Sequence, residues 1–84
     1  MTTFREINAA VKRHFGKHPA FVSAKADIVG SFSVMRFEGD LPMSLADAIA
    51  RYVETNFRDF TGGAGVQRIM GFIEGGTIIN WYAR

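Results

Sequence analysis

Cysteine is missing from the chain, which excludes disulfides, thiolate nucleophiles and cysteine-ligated metal. Small domains in oxidising compartments usually depend on disulfide staples, so this absence points to a reducing interior, the cytoplasm. The excess of basic over acidic residues is also small. The net charge is +2, too small an excess to argue by itself for a nucleic-acid partner. No uncharged apolar run approaches the roughly 18 residues of a membrane-spanning helix, and the expectation is no membrane. The N-terminal stretch reads as an amphipathic helix with charges inside it, not as a signal peptide. Repeats, linkers and low-complexity segments are absent. Disorder is excluded by the opposite argument, since 48% of residues are hydrophobic, enough to drive a core.

What remains is one domain of 84 residues. A chain of this size buries only about 60–65% of its unfolded surface, so the core is modest. Thr3-Phe4-Arg5-Glu6 is a capping box, with the Thr3 hydroxyl placed to accept from the Glu6 N–H. Phe4, Ile7, Val11 and Phe15 follow at spacings of three and four, one face of a helix over about 3–15. Gly16 is expected at the left-handed position that closes the helix, and Pro19 confirms the stop. From Ala20 to Glu38 the chain is rich in β-formers, and two strands fit at about 20–26 and 31–38. Ser44, with Asp47 three residues on, predicts the N-cap of a second helix over about 45–60. Its apolar stripe is Leu45, Ile49, Tyr52, Val53, Phe57 and Phe60. Two further β-like runs, Val66–Glu74 and Thr77–Tyr82, flank Gly75-Gly76, a hairpin signal. The order α-β-β-α-β-β predicts an α+β fold, with two helices on one face of an antiparallel sheet of about four strands.

The hairpin carries the main functional hint. If Glu74 pairs with Thr77, then Met70, Phe72, Ile79 and Trp81 share one face, and Ile69, Ile73, Ile78 and Tyr82 share the other. Both faces are apolar, whereas a two-layer domain buries only one. The spare face needs cover from the chain itself, from a second copy in a homodimer, or from a protein partner. Met70, Phe72, Ile79 and Trp81 are the expected contact, with the opposite face as the alternative.

The other candidates are weaker. In Lys12-Arg13-His14-Phe15-Gly16-Lys17-His18-Pro19 the histidines stand four apart, but Gly16 and Pro19 interrupt the helix, so they are expected to diverge. Without cysteine, too few ligands remain for a zinc site. The basic residues instead complement the exposed carbonyls of a helix end. Their second use is charged docking by Lys12, Arg13 and Lys17 onto phosphate or an acidic surface. On or near the second helix, Asp47 and Glu54 join Asp40 and Asp59 as an acidic face, read as solvated, as a mimic of nucleic-acid charge or as an electrostatic dock for a basic partner. Thr61-Gly62-Gly63-Ala64-Gly65 follows a helix and lacks the Gly-Lys-Ser/Thr ending, so it reads as a connector and not a phosphate loop. Arg68-Ile69-Met70-Gly71-Phe72-Ile73 echoes an RNA-binding strand without its paired aromatics. No serine has a readable base beside it, so no catalytic set and no cofactor are expected.

A compact cysteine-free α+β domain without a catalytic constellation, carrying an over-apolar sheet, resembles the small inhibitors of phages and mobile elements, among them the anti-CRISPR proteins. The resemblance is one of overall form and involves no motif. It implies a protein that binds a CRISPR effector complex or subunit and blocks target-DNA recognition or nuclease recruitment. The leading expectation is therefore a non-enzymatic protein-binding module. A nucleic-acid binder using the basic end of the first helix stands second, and a small hydrolase or nuclease toxin dependent on His14 or His18 third.

Overall fold

The first helix, α1 (Phe4–Phe15), starts where the capping box predicts. The Glu6 N–H donates to Thr3 Oγ1 at 3.1 Å, and Thr3 Oγ1 lies 3.3 Å from Glu6 Oε1. The helix buries Ile7, Ala10 and Val11. Its end differs from the expectation. Gly16 is right-handed, with φ −65°, and its N–H bonds back to the Lys12 carbonyl. Glycine is still needed there, because a Cβ would run into that carbonyl oxygen. The chain goes on through turns at residues 16–20 before it extends.

The computed structural model describes residues 2–63 and 66–82, and in them the fold is α+β. The strands are β1 (Ala24–Val29), β2 (Phe32–Glu38), β3 (Arg68–Ile73) and β4 (Gly76–Trp81). They form one antiparallel sheet in the order β1-β2-β4-β3. Gly30-Ser31 joins β1 to β2, with Gly30 at φ +60°, the sign that a type II′ hairpin needs at its first central residue. The second hairpin turns at Glu74-Gly75, one residue earlier than Gly75-Gly76. Ile73 therefore pairs with Gly76 and Met70 with Ile79, a shift of two from the expected register. A shift of two preserves the faces, because side chains alternate with a period of two.

The predicted single helix over 45–60 is two helices. α2 (Met43–Asn56) starts after Pro42 without a side-chain cap, so Ser44 is not the N-cap. Phe57, at φ −130° and ψ 59°, interrupts the helix, and α3 (Arg58–Thr61) follows and ends at left-handed Gly62. The break lets Phe60 turn inward, where its ring meets Phe4 at 6.0 Å and Trp81 at 5.8 Å, both edge-on. The Ser33 hydroxyl donates to the Phe60 carbonyl and fixes α3 to the sheet.

The core lies between the helices and one side of the sheet. Ile7 and Val11 of α1 join Leu45, Ile49 and Val53 of α2 against Ala26, Met35, Phe37, Ile79 and Trp81. The other side of the sheet carries no layer among the described residues. Ala64 and Gly65 of the glycine-rich loop lie outside the described residues, so that loop's predicted role as a connector does too.

Candidate functional site

The strand registers lay out the uncovered side of the sheet as a grid. At one end Val29 pairs with Phe32, whose ring stands edge-on to Tyr82 at 4.6 Å. The next row is Asp27, Val34, Asn80 and Ile69, and the row after it Lys25, Arg36, Ile78 and Gly71. Glu38, Gly76 and Ile73 close the far end. Apolar side chains thus run along the Val29–Phe32–Tyr82 end and down β3 and β4, while Lys25, Asp27, Arg36 and Glu38 fill the remaining quarter. Val34, at the centre, is screened by its neighbours and only 2% exposed. Val29, Ile69, Ile73 and Tyr82 are 41–46% exposed, and the registers place Phe32 and Ile78 between them, so they form one apolar surface and not isolated side chains.

This reverses the expected assignment of the two hairpin faces. Ile79 and Trp81 are fully buried under the helices and are not available to a partner. Met70 is half-buried against the same core, and only Phe72, at the rim, is well exposed. The physical reason is local to Trp81. Its indole N–H donates to Glu54 Oε2 at 2.8 Å, so the polar edge of the ring is satisfied from α2 and the rest can be buried. The alternative face, Ile69, Ile73, Ile78 and Tyr82, is the outward one.

Glu54 and Asp47 are corrected by the same network. Glu54 is 7% exposed and sits within 2.6–2.7 Å of Arg68 Nη1 through both its oxygens. Asp47 takes Arg68 Nη2 and also pairs with Arg51 one helical turn on, at 2.9 Å. Both carboxylates are occupied in holding β3 against α2, so neither is a free docking charge. The hydrogen bond to Glu54 raises the Arg68 pKa above its ordinary value, and its charge is fixed at every accessible pH. Sequence reasoning did not place Arg68. The available signal was the spacing of Asp47 and Glu54, two turns apart beside the small Ala46 and Ala50, facing a strand that begins with a lone arginine.

Lys12, Arg13 and Lys17 are exposed, as a docking role requires, and form no ion pair among the described residues. Of the three, Lys12 lines a shallow groove with Arg5, Asn8, Val22 and Ser23. The His14 ring stacks on Tyr52 at 4.5 Å, whereas His18 Nδ1 accepts the Ala20 N–H at 3.1 Å. The two imidazoles thus serve separate local contacts. Ser33 and Thr77 are buried with their hydroxyls bonded to backbone, so neither is exposed as a nucleophile. Compared with known proteins, the chain matches no family model, no curated protein and no solved structure.

Proposed function

We propose that the chain is a non-enzymatic protein-binding module whose contact surface is the uncovered face of the sheet. The observation that carries this reading is the connected apolar surface of Val29, Phe32, Ile69, Ile73, Ile78 and Tyr82, bordered by charges of both signs. An aromatic and aliphatic centre with a polar rim is the composition of a protein interface. It is a poor match for single-stranded nucleic acid, which needs basic residues beside the stacking rings. Lys25 and Arg36 lie on this face together with Asp27 and Glu38, so it has no net positive field. An inhibitor that occludes a larger assembly needs only such a surface, and the resemblance to anti-CRISPR proteins names one assembly to try, a CRISPR effector complex. Binding of target DNA by purified effector complexes, with and without this protein, tests the specific form. Capture from bacterial lysate, with and without nuclease treatment, tests the general form, comparing wild type with a folded Ile73→Lys/Tyr82→Lys variant. A stoichiometric protein complex that the variant fails to recover supports the module. Equal recovery by both proteins, or recovery of nucleic acid alone, overturns it.

A further inference from the structure

The two edges of the sheet are finished differently. At the β1 edge the outward N–H groups are taken by side chains: Ala26 donates to Asn8 Oδ1 at 2.7 Å, and Ile28 to Asp27 Oδ1 at 2.8 Å. α1 packs along this strand, and Lys25 adds a charge. These are the devices that stop an edge from pairing with another strand. Among the described residues the β3 edge has no such cover, and its charge is paired inward. Tyr82 N–H donates to the Gln67 carbonyl, so the alternation of an antiparallel ladder makes Ile69, Gly71 and Ile73 the residues bonded to β4. The N–H and C=O groups of Arg68, Met70 and Phe72 therefore point away from the sheet. Among the described residues no group takes the N–H of Met70 or Phe72. The strand has no proline, and its single charge, Arg68, is neutralised by Glu54 and Asp47. Ile69, Phe72 and Ile73 along it are 44–59% exposed.

We infer that β3 is a homodimer seam, pairing antiparallel with β3 of a second copy about a two-fold axis at Met70. Outward groups then meet outward groups, Met70 with Met70 and Arg68 with Phe72 of the other copy. No like charges meet across this seam, because Arg68, the one charge on the strand, falls opposite Phe72 and is already paired within its own copy, which removes the repulsion that usually protects an edge. The side chains also fit. On the uncovered face Ile69 falls opposite the other copy's Gly71, where a Cβ would have open space around it. The isoleucine thus fills the gap left by the glycine. A single continuous sheet results, with its uncovered face still open to a partner. The inference is therefore independent of the module reading and goes beyond it.

Sedimentation equilibrium across the micromolar range, with amide hydrogen exchange followed by NMR, tests the seam. Wild type is expected to approach twice 9.3 kDa, with the Met70 and Phe72 amides protected about a hundredfold relative to the dilute monomer. Met70→Pro removes an outward donor and no bond to β4, so the folded variant is expected to be monomeric. Should that variant fail to fold, exchange in the wild type decides alone. A wild type that stays at 9.3 kDa overturns the inference. So does a folded Met70→Pro dimer, or a wild-type dimer whose Met70 and Phe72 amides exchange freely. None of these results touches the capture experiment on the uncovered face.

Discussion

Replacing Arg68 with methionine keeps most of the side-chain volume and removes the cation from the network that ties β3 to α2. Glu54 is then left 7% exposed, with the Trp81 N–H as its one remaining donor among the described residues. Breaking a fully buried pair costs about 3–5 kcal/mol, most of it the penalty of the orphaned charge. Here the Arg68 side chain is 21% exposed, so water reaches part of the site, and about 2–3 kcal/mol is the expected loss. For a domain of this size that lowers Tm by roughly 10–20 °C. Urea unfolding followed by circular dichroism gives the number. Adding Glu54→Gln to Arg68→Met removes the stranded charge and leaves an amide oxygen for Trp81, so it is expected to recover more than half of the loss. A loss below about 0.5 kcal/mol for Arg68→Met, within the range of ordinary surface substitutions, would mean that Arg68 does not hold a buried Glu54 charge.

Three further outcomes follow from the same geometry. Thr77→Val leaves the buried Leu41 N–H and Gly39 carbonyl without the hydroxyl that now joins them at 3.0 and 3.1 Å, a cost of about 1–3 kcal/mol readable by urea unfolding. Gly76→Ala drives a Cβ into the Phe37 carbonyl oxygen and is expected to destabilise the β2–β4 pairing, seen as faster amide exchange along β4. Asp59 accepts from the Thr2 N–H at 2.9 Å and the Thr2 hydroxyl at 3.0 Å, which holds its pKa below 3.8. Its contribution to stability is present above the unfolded value and disappears as pH falls through the lowered folded value. An NMR titration of the Asp59 carboxyl is expected to show a midpoint below 3.8, moving part of the way back in Thr2→Val.

The elements of this fold could be read from local chemistry wherever the deciding contact was local. Thr3 and Glu6 announce α1, and the period of two through Phe32–Phe37 announces β2. Features set by distant residues could not be read in that way. The break at Phe57 depends on a place for Phe60 beside Phe4 and Trp81, far away in sequence. The hairpin register moved by two because Gly75 alone supplies the positive φ of the turn, while Gly76 is needed for its close approach to β2. Double apolarity of the hairpin was plain in the sequence, but which side faced the helices turned on Glu54, an acidic residue that looked solvated until Arg68 and Trp81 converged on it. The order β1-β2-β4-β3, which exposes β3 and not β4 at an edge, leaves no trace in a single sequence.

The affinity of a captured and purified protein partner shows whether the uncovered sheet face is the contact surface. It should be measured by calorimetry for wild type, for Ile73→Lys/Tyr82→Lys, and for a Lys12→Ala/Arg13→Ala/Lys17→Ala variant. The sheet-face variant is expected to lose at least about thirtyfold, as for a buried interface centre, with the basic-patch variant within about threefold of wild type. The opposite pattern, an intact affinity without the sheet face and a collapsed one without the lysines and arginine, would contradict that expectation.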